Sequence, residues 1–406
     1  MTATQFLVAL IAIFVAAKLF GEIAERLGQP AVLGELIGGA IIGVSGLRLV
    51  DPHDTTIHLL AELGVILLLF LIGLDTDLKR LIAVGGISTA VACVGVALPL
   101  LGGLAIGRLL GLTSIVSLFL GAAMTATSVG ITARVLSDLG HLRDAESQVI
   151  LGAAVVDDII GVVLLSVVTS LAIGKDLSYF AMAKIVVVAF GFVIAALVAG
   201  AWLAPWMMRG LKRLQVARGV LFASIVVALG LAYVAERVGS AMIIGSFAAG
   251  LVLTRCGGGK EVEREVRDVA QFFIPIFFVS VGAAIDFKSI TPHVLMIGLL
   301  LAIAGTIGKV AAGFVAWKPG LKKLVIGVGM IPRGEVGLIF AQVGLSSRLL
   351  DAGLYSSVAL MVIITTFIAP VLLRAMLPPR SAEEYHGTAD YVMDAPLDDD
   401  AGSRTD

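Results

Sequence analysis

The chain has 406 residues, of which 59% are hydrophobic and only 15% charged, with 47 glycines and a net charge of -1. A charged share so far below the roughly 25% of soluble domains excludes a water-soluble fold and marks an all-α polytopic membrane protein. The near-neutral balance carries no basic stripe and excludes a nucleic-acid partner. The histidines at 53, 58, 141, 293 and 386 and the cysteines at 93 and 256 lack metal-ligand or disulfide spacing, so no cofactor is expected.

Apolar runs of the roughly 17–25 residues that span a bilayer occur about thirteen times. In chain order they cover 5–25, 31–47, 56–74, 83–107, 114–138, 145–173, 180–207, 217–236, 239–254, 264–284, 291–316, 321–347 and 352–376. The first has no basic flank or small-residue cleavage site, so it reads as a membrane helix rather than a signal peptide. With the N-terminus outside, 18 Lys and Arg fall in cytoplasmic loops and ends against 7 in the opposite ones. That asymmetry predicts an external N-terminus and a cytoplasmic C-terminus. Residues 377–406 are acidic and poor in aliphatic side chains, which predicts a disordered cytoplasmic tail.

The sixth run, "ILGAAVVDDIIGVVLLSVV", holds Asp157 and Asp158 in mid-span. An acid there costs about 2.5–3.5 kcal/mol on insertion scales, so the pair needs either a compensating structural contact or a watery cavity with a chemical role. Consecutive helical positions point about 100° apart. One carboxylate can therefore pair inside the protein while the other faces water. Lys309, in "LLLAIAGTIGKVAAGFVA", is a candidate partner if it lies mid-span, and a snorkelling lysine if it lies near a helix end.

Two runs carry signals for interruption. In the fifth, Thr125, Thr127 and Ser128 precede Gly130; in the twelfth, Pro332, Arg333, Gly334 and Glu335 follow one another. Proline removes a backbone donor and clashes with the preceding turn, so the twelfth helix is expected to break there. The Thr/Ser cluster reads either as ordinary interhelical hydrogen bonding or as half of a transporter's binding site, where broken helices aim free backbone dipoles at an ion. Arg333 and Glu335 are expected to neutralise the half-helix ends. Spans four to six and eleven to thirteen each contain a broken helix, and their separation predicts an inverted repeat.

The segments "TATSVGITARVLSDLG", "ILGAAVVDDIIG", "GKVAAGF" and "GMIPRGEVGLIFAQVGL", in that order, resemble the NapA-type bacterial sodium/proton antiporters of the monovalent cation:proton antiporter superfamily. The resemblance implies an NhaA-like fold with two broken crossing helices, and a transporter rather than an enzyme. It implies an antiporter domain over 1–376, with a mobile core of helices at 83–173 and 291–376 and a scaffold and dimer part at 5–74 and 180–284. Asp158 would be the principal ion and proton carboxylate, Asp157 the partner of Lys309 when no sodium is bound, and Thr127 a residue at the crossing. The implied substrates are Na+ or Li+ and H+, carried by a lipid-embedded homodimer in the bacterial inner membrane. An acid at 157 favours the electrogenic, sodium-selective branch over potassium/proton exchange. A channel is disfavoured by the lack of a filter segment, and an intramembrane aspartyl protease by the placement of both acids on one helix.

Overall fold

The structure is a computed structural model and describes residues 1–52, 54–76, 78–172, 187–188, 191–192, 194–196, 198, 219–254, 259–285 and 290–379. Regular elements among the described residues are helical: α1 (Ala3–Arg26), α2 (Ala31–Ile42), α3 (Thr55–Asp75), α4 (Leu78–Ala83), α5 (Gly85–Leu109), α6 (Ser114–Ala123), α7 (Val129–Asp138) and α8 (Ala145–Ala172). Then follow α9 (Gly219–Arg237), α10 (Met242–Thr254), α11 (Gly259–Ala283), α12 (Pro292–Gly313), α13 (Lys323–Gly329), α14 (Glu335–Ser346) and α15 (Ala352–Met376). Eight of these, α1, α3, α5, α8, α9, α11, α12 and α15, are long and apolar enough to cross a membrane. The expected span at 180–207 lies almost wholly outside the described residues, as does the tail beyond Pro379.

Helix starts follow local side-chain chemistry. Thr2 and Gln5 cap α1 reciprocally, and the side chains of Asp54, Thr113, Thr291 and Asp351 accept first-turn backbone N–H groups of α3, α6, α12 and α15. Each cap satisfies donors that have no partner inside the helix. The second run ends at Ile42 rather than 47, because Gly43 and Gly46 close a turn there. The fifth and twelfth runs each divide into two half-helices, α6 with α7 and α13 with α14.

The helices pack as two bundles. In the first, α3 lies against α10 and α11, α1 against α2, α2 against α11, and α9 against α10. In the second, α5 packs on α6, α8 and α12, while α12 packs on α13 and α15, and α14 on α6 and α15. Contacts between bundles are strongest where α7 meets α2 and α3. Two polar ties also cross: Arg143 Nη2 donates to Asp75 Oδ1 at 2.6 Å, and Arg374 Nε donates to the Gly28 carbonyl at 2.9 Å. Both sit where helices enter the loops, on one face.

The second bundle contains two triplets of the same order: a long helix, an interrupted helix and a long helix. They are α5, α6/α7, α8 and α12, α13/α14, α15. The long helices α5 and α12 approach closely; a Cβ at Gly308 would stand 3.0 Å from the Pro99 nitrogen. Small residues at such crossings let backbones meet without lipid between them.

Candidate functional site

The two interruptions meet. After α6 the chain leaves helical geometry through Met124, Thr125, Ala126 and Thr127, and Thr125 Oγ1 turns back to donate to the Ala122 carbonyl at 2.8 Å. Thr and Ser favour such local bonds over helix continuation. After α13, Pro332 supplies no N–H, so the chain runs extended through Arg333 and Gly334 before α14 begins at Glu335. The strands of backbone between half-helices then bond to each other. Ser128 N donates to the Pro332 carbonyl at 2.8 Å, Thr127 Oγ1 to the Met330 carbonyl at 3.3 Å, and Thr132 Oγ1 to the Gly329 carbonyl at 2.7 Å. Gly334 is required by this closeness, since a Cβ there would stand 2.8 Å from Ser128 Oγ and 2.9 Å from its Cβ.

Charge is placed against this crossing. Arg333, fully buried, donates through Nη1 to the carbonyls of Ala126 at 3.2 Å and Met330 at 3.4 Å, and through Nη2 to Gly305 at 3.4 Å. A guanidinium beside the C-terminal end of α13 and the carbonyls after α6 offsets the negative poles of both half-helices. Thr366 Oγ1 fixes it from α15 by donating to the Arg333 carbonyl at 2.5 Å. Glu335 is the first residue of α14.

Asp157 and Lys309 form a buried ion pair: Lys309 Nζ donates to Asp157 Oδ2 at 3.2 Å, with the side chains 0% and 1% exposed. Lys309 stands four residues before the C-terminal end of α12, yet it is wholly buried and paired inside the protein rather than snorkelling to an interface. Asp157 Oδ1 and Arg333 Nε are buried without a hydrogen-bond partner. One pair thus balances charge without saturating every polar atom, an arrangement that a change of ligand can rearrange.

Asp158, one position on, lines a different space. It borders a cavity with Thr127, Ser128, Val129, Gly130 and Gly334 from the crossing, faced by Val65, Ile243 and Phe277 from the other bundle. The free volume of about 10 Å3 is room for one water-sized sphere. Adjacent acids on one helix thus serve two surroundings, an internal amine and a small void whose lining is mostly apolar. Among the described residues, no cluster of three or more His, Cys, Asp or Glu could hold a multivalent metal.

The sequence singled out Asp157, Asp158, Lys309, Thr125, Thr127, Ser128, Pro332, Arg333 and Glu335, and the structure gathers them around one crossing. It adds Thr132, Thr366 and the Gly305 carbonyl. The threonines looked like ordinary helix residues, and only partners 197 and 33 positions away give them a role. Glu35 was also passed over. It is 6% exposed in α2, and its place in an apolar run was a signal as visible as that of the aspartates.

A polytopic helical protein with two interrupted helices crossing beside a buried acid, amine and guanidinium belongs to the class of secondary ion transporters. Residues 8–378 match the family described as "Sodium/hydrogen exchanger, transmembrane", and the chain belongs to that family. It is 40% identical to the "High-affinity Na(+)/H(+) antiporter NhaS3" of Synechocystis sp., over 93% of this chain and 91% of that one. It is 38% identical to the "Na(+)/H(+)-K(+) antiporter GerN" of Bacillus cereus, over 91% of this chain and 96% of that one. The solved structure of the sodium proton antiporter MjNhaP1 from Methanocaldococcus jannaschii shares the fold, with a TM-score of 0.66 at 20% identity over 92% of this chain and 97% of that one. The chain is thus a multi-pass membrane cation/proton antiporter, a transporter and not an enzyme.

Proposed function

We propose that the protein is an electrogenic sodium/proton antiporter that exports cytoplasmic Na+ or Li+ in exchange for external protons. The observation that carries this reading is the Asp157–Lys309 pair, fully buried, beside an Asp158 that lines the void at the helix crossing. Na+ binds deprotonated Asp158, with Thr127 and backbone oxygens at the crossing completing the shell. A proton competes for the same carboxylate.

Coupling to a second proton follows from the pair. When Na+ enters, Asp157 turns from Lys309 toward the ion, and the ammonium, having lost its counter-charge in a low-dielectric setting, releases a proton. The sodium-loaded site holds one Na+; the proton-loaded site holds one proton on Asp158 and one on Lys309. Exchange therefore moves one net charge, and the membrane potential assists by about 2.3 kcal/mol per 100 mV.

The second bundle, which holds every charged group of the site, is the mobile core of an elevator movement, and the first bundle is the scaffold and dimer part. Thirteen crossings with inverted repeats, an external N-terminus and a cytoplasmic face at the helix ends and loop bearing Arg80, Arg143 and Arg264 complete the arrangement, in a homodimer of the bacterial inner membrane. The Lys and Arg asymmetry of the loops supports this orientation.

The test is sodium-dependent dequenching of a pH dye in inside-out vesicles, where Asp158→Asn abolishes the signal; full retained activity would refute the assignment. The name of GerN, which includes potassium, favours one second reading, potassium/proton exchange. Uptake of labelled sodium that excess K+ competes poorly decides for sodium.

A further inference from the structure

A second cavity lies directly beneath the crossing, toward the loop face. It has a volume of about 260 Å3 and is lined by Lys18, Glu35, Asp75, Arg134, Ser137, Asp138, Arg267 and Gln271, among others. Its walls continue those of the void at Asp158. On α7, Gly130 borders the void and Arg134 the larger cavity; on α3, Val65 and Leu68; on α11, Phe277 and Ile274. Steps of three or four residues are one helical turn, about 5.4 Å. The two spaces are therefore stacked along the same three helices, the larger on the loop-face side of Asp158.

Most charges on these walls are neutralised locally. Arg134 Nε binds Asp138 Oδ2 at 3.0 Å, Asp75 Oδ1 accepts from Arg143 at 2.6 Å, and Arg267 pairs with Glu263. Glu35 feels the charges of Arg134 and Lys18 but makes no close ion pair of this kind among the described residues. It is 6% exposed, and its Oε2 is buried with no hydrogen-bond partner. A carboxylate left in this state inside a polar cavity costs free energy that a mobile cation or proton relieves. Lys18 lines the same cavity from α1 and is exposed, so its charge weakens the field there without cancelling it.

We propose that Glu35 makes this cavity a vestibular site for a hydrated monovalent cation, which it concentrates and passes to Asp158. At about 30 Å3 per water the space holds roughly nine waters, so the ion arrives with much of its shell. The vestibule thus raises the local cation concentration without choosing among cations; selection falls to the single-sphere void above. The inference rests on the antiport reading of Asp158.

The test compares membrane vesicles of both orientations. Glu35→Gln raises the apparent KM for Na+ and for Li+ alike, by roughly threefold to tenfold, when the cation is offered at the face of Arg80, Arg143 and Arg264. The kcat is retained, the KM from the other face is unmoved, and Glu35→Asp restores most of the affinity. Lys18→Gln, a change at an exposed position, lowers the same KM. An unmoved KM in both variants, or an equal rise from both faces in Glu35→Gln, overturns the proposal. If Glu35→Gln does not fold, Lys18→Gln decides alone: a KM unchanged or raised overturns it. Asp158→Asn separates the two readings, since normal transport by that variant sinks antiport at Asp158 itself. Loss of transport there with both KM values unmoved sinks only the vestibule.

Discussion

Lys309 Nζ and Asp157 Oδ2 meet at 3.2 Å, joining helices whose partners stand 152 positions apart in the chain, with neither side chain more than 1% exposed. Breaking a buried pair by removing one member leaves an uncompensated charge, a cost of about 3–5 kcal/mol. Lys309→Gln is accordingly expected to lower the thermal unfolding midpoint in detergent sharply. The double variant Asp157→Asn with Lys309→Gln, which leaves no isolated charge, recovers most of the loss. Equal midpoints for single and double variants would show that the contact carries no coupling.

The same pair sets the response to pH. If Na+ displaces one proton from Asp158 and one from Lys309, the apparent KM for Na+ rises as pH falls, by up to about a hundredfold per pH unit where both groups are protonated. It levels off at alkaline pH, where neither proton is bound. In Lys309→Gln only the Asp158 proton remains, and the slope drops to about tenfold per unit. Currents on a supported membrane fall with it, because one charge fewer crosses. Unchanged currents in that variant would refute the coupling role of Lys309.

How much of this was readable from residues alone depends on contrast. A carboxylate or ammonium in an apolar run stands out, so Asp157, Asp158 and Lys309 were visible as candidates, and Pro332 announced its break through the missing N–H. Thr132 and Thr366 stayed hidden, since a hydroxyl in a membrane helix usually bonds its own preceding turn, as Thr365 does to Met361 at 2.9 Å. Their actual acceptors lie far off in the chain, at the end of α13 and in the extended link that follows it, which no local pattern reveals. Arg333 was expected at the half-helix ends, but its reach to the Gly305 carbonyl on α12 is a property of packing. Span limits failed where glycine turns cut an apolar run short, as after Ile42.

Gly334 offers a steric test of the crossing. An added methyl group stands 2.8 Å from Ser128 Oγ, against a partner segment held by the Ser128 to Pro332 bond of 2.8 Å. Overpacking of this kind costs about 1–3 kcal/mol. Gly334→Ala is expected to reduce transport by about fivefold to a hundredfold, as that energy converts, and Ser128→Gly in the same chain to restore part of it. Full activity of Gly334→Ala alone would mean the two breaks need not touch.

Arg143 and Asp75 tie the bundles at the loop face, with Asp75 7% and Arg143 35% exposed at the side chain. Because the pair is partly solvated, its contribution is modest, about 1 kcal/mol or less. Asp75→Asn is expected to speed hydrogen exchange in the segment 139–147 by up to about fivefold, read by mass spectrometry. Exchange rates equal to those of the parent protein would show the tie to be idle.

Opposite Asp158, the surface offered by the other bundle is hydrocarbon: Val65, Ile243 and Phe277. Such a wall presents an ion with nothing to coordinate and presents a moving neighbour with nothing to unfasten. If the second bundle moves as proposed, friction at that depth is set by the fit of these side chains, while the ties at Asp75 and Gly28 described above lie out at the rim. A bulkier side chain at 65 would therefore act as a brake, slowing exchange in both directions alike while leaving the affinity for sodium where it was.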